Sequence, residues 1–572
     1  MLRTAVLALL LALAATLALG DAPVKTHSTL FTPEQIAERK NTPWFVNLNL
    51  KGDTRPFCAA VGTASAEQWV NKPDDWFWQT MPSTKIVRCT TVGNDNFRTP
   101  KAGCPVHREK IYEEDAYYPW IVDVEKAPYK LKCPLGGELY PSNDFAAGDL
   151  KTGPYADDGG GYNDAGCFYH FLGLYSHYAY NTMLQPAIKA FGHAYMLTGD
   201  KRYAHKAAVC LLKEAFEYPN ATDRKDRTYQ PGYGKQSGMI TDVVWSGPCL
   251  VASATCYDEI CGALEGDSEL VAFAQKYVPE LKTVEDVKVY IEDHTFRAGL
   301  QALLDGRILP NTGWAEEAMS TLALMMSDFG PKKPNTVDCL EWLYYGGGRL
   351  VTVGNQFYKD GGSYESTGYN DARGGFVRSA ETLKRLRALS PEALDWERYP
   401  DISQNEKLLA YGTAYNKAIH SLGGQYTVCI GDIGNTAIRR GPAFGPNERP
   451  SEYLDGYGLA LLRSGHGKDQ RDATLFYGGV RGHAHYDPLM LGLHGFGRDL
   501  LPNIGYPQSW NFAHAWEWAL FTHNTVAVDR DEKPCSTVLG SLTVWSPDAG
   551  SAPPASVGTP DSPVGQSAPS PP

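Results

Sequence analysis

The sequence predicts a multidomain α+β protein, a helical toroid followed by an antiparallel β domain, and three observations lead there. Its 572 residues are too many for one hydrophobic core, so two or three domains are expected. From Phe168 to about Leu422, apolar residues recur at helical spacing between short polar connections. After Gly423-Gly424 the spacing changes to alternation, the period of a half-buried strand.

Bulk composition narrows the function before any motif does. Hydrophobic content of 43% and charged content of 21% are those of an ordinary globular protein. A net charge of -12 removes the argument for a nucleic-acid partner. It also disfavours a polyanionic substrate unless positive charge is gathered locally. An aromatic share of 12% suits stacking on sugar rings and an aromatic core equally. Residues 1–20 read as a secretory signal, with Arg3 ahead of the apolar run Ala5–Leu19 and a small-residue site at Ala18-Leu-Gly20. Export to the periplasm or beyond is therefore expected. No later run has enough consecutive apolar residues to span a bilayer. In that compartment Cys104-Pro-Val-His107 with Cys133-Pro reads as a disulfide or buried thiols in preference to a metal site, because a second Cys-x-x-Cys pair is lacking.

Residues 21–150 are rich in Trp, Pro, Cys and Gly and read as a cap or lead-in, with short strands or extended arms at Thr84–Arg88 and Tyr118–Asp123. The loop Tyr155-Ala-Asp-Asp-Gly-Gly-Gly-Tyr162 lacks the Gly-x-Gly-x-x-Gly register and a Lys-Ser/Thr ending, so it reads as a surface turn and not a phosphate loop. The toroid is expected over 151–422. Its first helix covers Phe168–Thr198, interrupted at Pro186 and ended by Gly199-Asp200. A second, Tyr203–Tyr218, sets Ala207, Ala208, Leu211, Leu212 and Ala215 on one face. Further helices are expected at Val251–Leu264, Leu270–Tyr277, Val284–Leu304, Trp314–Ser327, Val337–Tyr345, Arg373–Leu389 and Glu406–Ser421. So many helices joined by short loops fit a toroid, closed or incomplete, better than a four-helix bundle. The β domain, 423–545, has strands at Gln425–Asp432, Leu459–Arg463, Ala473–Gly478, His485–Leu493, Thr525–Asp529 and Ser541–Trp545. Residues 546–572 are a Pro-, Ser- and Gly-rich tail expected to be disordered, so the sheet reads as unfinished.

Four places carry residues suited to chemistry. In Arg481-Gly-His-Ala-His-Tyr-Asp487, a strand would point His483 and His485 to one side, one toward a substrate and one toward a metal or orienting partner. The loop Asp360-Gly-Gly-Ser-Tyr-Glu-Ser-Thr-Gly-Tyr369 joins two helices and offers Glu365 and Tyr369 at a rim where binding residues collect. Tyr369 can shuttle a proton if a neighbouring positive charge lowers its pKa from about 10, and Arg373 and Arg378 are placed to supply that charge and to attract a carboxylate. At Leu309-Pro-Asn-Thr-Gly-Trp314, Asn311 or Thr312 reads first as a helix cap, and Asn311 alternatively as an amide donor to a carboxylate. On the first helical element Tyr162, Asn163, His170 and His177 are groove-lining candidates, although local sequence suits structural histidines better.

Taken in order, Asp360-Gly361 with Glu365 and Tyr369, His483-Ala-His485 with Tyr486-Asp487, Leu500-Leu-Pro-Asn-Ile-Gly505, and His523-Asn-Thr-Val-Ala-Val-Asp529 resemble the heparinase II/III-like polysaccharide lyases, which include alginate and heparan lyases. The resemblance covers roughly Phe168 to Trp545. It implies an incomplete (α/α) toroid joined to an antiparallel β-sandwich, an acidic polysaccharide or oligosaccharide substrate, and cleavage by β-elimination. It makes Tyr369 the acid, and also the base for one stereochemistry, with His483 the alternative base or a sugar contact and Asn311 the carboxylate contact. Glu365, Arg373, Tyr162 and His170 become substrate contacts. It also implies a structural zinc on His485, Asn503 and His523. Three departures stand out: Asn503 where relatives carry aspartate, Thr312 where many carry histidine, and a β domain that stops early. They leave open a non-catalytic glycan-binding relative, a hydrolase on the same toroid, or a truncated reading of a longer protein.

Overall fold

The computed structural model describes residues 23–51, 65–81, 86, 103–112, 119–164, 167–221, 244–365, 371–411, 428, 430–431, 450–479, 483, 485–503 and 519–526. They fall into two compact units: residues 1–350 with 378–401, and residues 351–377 with 402–572.

In the first unit the apolar stripes become helix faces. Lys201–Glu217 buries Ala204, Ala207, Ala208, Leu211, Leu212 and Ala215, spaced three or four apart, and Asp200 caps its start by accepting the Arg202 N–H at 3.0 Å. Gln185–Thr198 packs on both that helix and Ser246–Ile260. The latter packs on Trp314–Met326, which in turn packs on Thr336–Tyr345. The expected break at Pro186 is a widened turn instead. Tyr180–Leu184 is π-helical, with the Gln185 N–H reaching back to Tyr180 O, which absorbs a proline that has no N–H to give. A second π segment, Glu292–Arg297, sits inside the helical stretch predicted over Val284–Leu304.

An extended strap, Val24–Phe31, is fastened to these helices through carboxylates. Glu292 accepts the N–H groups of Val24 at 2.8 Å and Lys25 at 2.9 Å. Asp258 accepts those of Thr29 at 2.8 Å and Leu30 at 3.1 Å and pairs with the Lys25 ammonium. Ahead of the helices, β1 (Leu131–Lys132) pairs with β2 (Leu139–Tyr140), and Ile121 bridges to Lys132, the remnant of the strand expected at Tyr118–Asp123. Then β3 (Tyr162–Asp164) pairs with β4 (Cys167–Tyr169), so the first helix begins at Phe171 and not at Phe168.

The second unit holds an antiparallel meander in chain order: β5 (Glu452–Leu454), β6 (Leu459–Ser464), β7 (Arg471–Phe476), β8 (Met490–Gly495) and β9 (Arg498–Leu501). Its core joins Val428, Ile430, Leu454, Tyr457, Leu459, Leu461, Phe476 and Met490, with Tyr358 and Tyr411 against it. Three of these strands follow the predicted ones. β5 and β9 are too short for alternation to reveal them. Most of the strands expected at Gln425–Asp432 and Thr525–Asp529, all of Ser541–Trp545, and most of the helix at Glu406–Ser421 lie outside the described residues.

Candidate functional site

Asp360 organises the loop that carries Glu365. The Tyr358 N–H donates to Gly362 O at 2.7 Å and the Gly361 N–H to Tyr358 O at 3.0 Å, closing a tight turn. Gly361 stands at φ 85, and a Cβ there would lie 2.2 Å from the Tyr411 nitrogen, so glycine is required twice over. Asp360 Oδ1 accepts the Gly362 N–H at 3.2 Å and Oδ2 the Tyr457 N–H at 2.8 Å. The Tyr457 hydroxyl donates to Glu365 O at 2.9 Å, and the Tyr358 hydroxyl to Gly479 O at 2.8 Å. The loop is thereby fastened to the turn between β5 and β6 and to the chain leaving β7 toward Arg481. Tyr369 and the Arg373 side chain lie outside the described residues. The Arg373 backbone belongs to the helix Asp371–Leu389. The Arg378 guanidinium forks onto Glu317 at 2.5 and 2.6 Å.

His483 and His485 do not share a strand face. His483 is left-handed at φ 55, Leu489 at φ 57, and β8 begins only at Met490, beyond Pro488 with its missing ladder donor. The buried His485 ring lies 5.1 Å from that of His523, centroid to centroid, tilted by 34°. Asn503 turns its amide nitrogen to Asp487 Oδ2 at 3.3 Å and toward Met490 Sδ at 3.5 Å. Asp487 Oδ2 also accepts the Gly431 N–H at 2.9 Å. Burial pushes the Asp487 carboxyl up, opposed by the His485 charge and by these donors. The donor set fits zinc in part: two imidazoles stand together, but the third predicted ligand is a neutral amide whose nitrogen faces a carboxylate. Asp487 is the acid that sequence reasoning gave no role, although it stands two residues after His485.

In the helical unit neither Asn311 nor Thr312 is the cap. Gly313 holds that place at φ 91, its N–H donating to Glu316 Oε2 at 2.6 Å, so the carboxylate three residues on serves the helix start. Asn311 contributes its carbonyl, which accepts the Trp314 N–H at 3.0 Å, and its side chain is half-buried. Close by in sequence, the Trp314 ring lies 4.9 Å from the ring of Trp245, which is 42% exposed. This pair escaped sequence reasoning because its members are 69 positions apart in the chain.

Tyr162 and Asn163 sit on β3, not on a helix, and His170 is the residue just before the helix Phe171–Ala179. His170 and His177 are buried, and His170 packs where a side chain on Gly161 would otherwise stand. The glycine loop is more than a surface turn. Buried Asp157 accepts the N–H groups of Gly159 at 2.8 Å, Gly161 at 2.9 Å and Leu172 at 3.0 Å, so it caps the helix from 15 residues upstream. Arg108 reaches the same hairpin, donating to the Tyr169 hydroxyl at 2.6 Å and pairing with Asp164 at 3.1 Å. A cavity of about 720 Å³ in this unit, with Arg39, Lys189, His193 and Glu259 among its walls, takes in Arg378 but none of the other predicted residues.

Of the two alternatives expected at Cys104 and Cys133, a disulfide or buried thiols, the structure has the second: both are free and buried. With His107 and Glu138 they make a group whose four ligand atoms all lie within 4.8 Å of one another, capable of holding a metal ion.

No protein-family model matches this chain, and no curated protein matches it significantly. Solved structures do align with it. A heparinase III gene product is 16% identical with a TM-score of 0.37, over 63% of this chain and 57% of that one. A crystal structure of heparinase III is 14% identical with a TM-score of 0.39, over 63% and 56%. Heparan sulfate lyase HepC from Pedobacter heparinus is 15% identical with a TM-score of 0.37, over 62% and 54%. The chain thus spans little more than half the length of these three, and likeness at this level assigns no activity.

Proposed function

We propose that this chain is an exported lyase that cleaves a uronic-acid-containing polysaccharide by β-elimination. The observation that carries the reading is the set of bonds from Tyr358, Asp360 and Tyr457 that fastens the Glu365 loop to the chain leading into His483. One compact unit thereby gathers the two segments that bear the acid–base candidates. Elimination moves the C5 proton to a base, forms the C4=C5 double bond, breaks the bond from C4 to the glycosidic oxygen, and returns a proton to that oxygen. Carbanion character at C5 beside an ionised carboxylate is costly unless that carboxylate is neutralised. In this reading Tyr369 protonates the departing oxygen and, for one stereochemistry, first removes the C5 proton. His483 is the base for the other stereochemistry or a sugar contact, and Asn311 meets the carboxylate. Glu365, Arg373, Tyr162 and His170 hold the saccharide. Zinc on His485, Asn503 and His523 would brace the β domain and take no part in bond making.

The test is the ultraviolet absorbance of an unsaturated uronate product, which only elimination creates, across alginate, heparan, chondroitin, hyaluronan and ulvan. Tyr369→Phe is expected to keep binding and lose about a thousandfold in kcat, the scale of a missing proton-transfer group. Reducing ends without absorbance would make the protein a hydrolase. Binding without any turnover by the parent protein would make it a glycan-binding relative.

A further inference from the structure

Two turns in the cap region are built alike. Cys104 opens the first, exchanging backbone hydrogen bonds with Arg108 at 3.2 and 2.8 Å. Cys133 opens the second, between β1 and β2, donating its N–H to Glu138 O at 2.9 Å and accepting that of Gly137 at 3.0 Å. Each sulfur faces two backbone donors: the N–H groups of Val106 and His107 on Cys104, both at 3.3 Å, and those of Leu135 and Gly136 on Cys133. Backbone N–H groups aimed at a sulfur are the hydrogen bonds that orient a metal-bound cysteine.

Three positions after Cys104 stands His107, and three after Cys133 stands Gly136. A Cβ on Gly136 would lie 2.3 Å from both Glu138 carboxylate oxygens and 2.4 Å from His107 Cε1. The glycine thus vacates the place of a fourth ligand, and the Glu138 carboxylate occupies it. His107 Nδ1 lies 3.6 Å from Cys104 Sγ, 3.4 Å from Cys133 Sγ and 3.7 Å from Glu138 Oε2. Ligand atoms bonded to tetrahedral zinc at about 2.0–2.3 Å stand about 3.4–3.8 Å from one another.

We propose that Cys104, His107, Cys133 and Glu138 bind one structural zinc ion that joins the two turns. Four protein ligands leave no open position, so the site is closed and holds shape without doing chemistry. Nothing in this assignment depends on the lyase reading. Soft thiolates with an imidazole select zinc over magnesium or calcium, and the carboxylate completes a tetrahedral set.

The experiment is metal analysis and native mass spectrometry of the full-length protein, with intact mass measured under denaturing, non-reducing conditions. Expected are a zinc equivalent that Cys104→Ser lacks and His485→Ala keeps, and thiolate charge-transfer absorption after cobalt replaces it. If Cys104→Ser fails to fold, His485→Ala decides through its zinc content and mass, because the other proposed zinc is then lost. A second variant, Gly136→Cys with Glu138→Ala, rebuilds a Cys3His set and is expected to slow zinc loss to a chelator by about tenfold. A parent mass two hydrogens low, showing a Cys104–Cys133 disulfide, overturns the proposal. So does parent protein without zinc, or cobalt-loaded protein without the thiolate band.

Discussion

The two units satisfy their buried polar groups in different ways. Where helices pack in the helical unit the backbone is occupied with itself, so buried charges turn to one another: Lys25 to Asp258, His193 to Glu259, Lys213 to Glu217, Arg297 to Asp328. Its irregular stretches do put acids on backbone donors, as at Asp157 and Glu292. In the β unit, where the chain turns irregularly, buried or half-buried carboxylates serve backbone donors. Asp360 takes two N–H groups and Asp487 takes that of Gly431, and among the described residues Arg463–Asp472 is the fully buried ion pair on the helical unit's pattern. Irregular backbone leaves N–H groups without partners, and an acid there shapes the chain more than it stabilises it. Loss of a buried acid should therefore cost global stability in the helical unit and local order in the β unit.

The largest effect is expected at Asp258, which combines both habits by pairing with Lys25 and accepting from the strap. Asp258→Ala leaves a buried ammonium and two N–H groups uncompensated, which costs about 3–5 kcal/mol. A urea midpoint within error of the parent would show that the strap is dispensable.

Next comes Glu214, buried among helices with the Ser253 hydroxyl at 2.6 Å and the Tyr180 hydroxyl at 2.8 Å. Burial pushes its pKa up to about 7 against those two donors. Its folded value exceeds its unfolded one, so an acid of this kind weakens the fold as pH rises from about 4.5 to 7, by about 3 kcal/mol in all. Glu214→Gln should flatten that part of the stability profile. Parallel profiles for parent and variant would place the titration elsewhere.

His205 extends the decline to higher pH. Burial alone would lower its pKa, but Asp267 and Asp74, at 2.8 and 3.1 Å, outweigh it and hold the imidazole at about 9. Its contribution is complete below about 6.5 and is lost as pH rises through 9, at about 2 kcal/mol after allowance for partial solvent screening. His205→Ala should remove that slope and leave the lower window unchanged. A variant that keeps the slope would free His205 of the assignment.

What could be seen in the sequence follows the same division. Helices announced themselves because one residue in three or four faces a core, as in Ala207 to Ala215. The Asp157 cap was hidden because its partner lies 15 residues away, and the π turn before Pro186 because no composition marks it. In the β unit alternation found β6 and β7, but the left-handed Leu489 broke a pattern that looked continuous from His485 to Leu493. Cys104 and His107 were visible as a pair. Glu138 was not, because its role depends on the empty place at Gly136.

The smallest effect on stability tests the comparison most sharply. Asp360 offers one oxygen to Gly362 in its own loop and the other to Tyr457 in the turn between β5 and β6, and so positions the Glu365 segment. Asp360→Ala should cost only about 1–2 kcal/mol, the loss of two modest hydrogen bonds with water able to enter. Asp360→Asn should behave almost like alanine, because its amide nitrogen would present a donor to one of two N–H groups that both need an acceptor. Amide hydrogen exchange is the decisive reading: the Tyr457 and Gly362 N–H groups should lose protection in both variants while the β6–β7 ladder keeps its own. A ladder that opens together with the turn would mean that Asp360 supports the whole sheet, and the contrast between the two units would fail at its clearest residue.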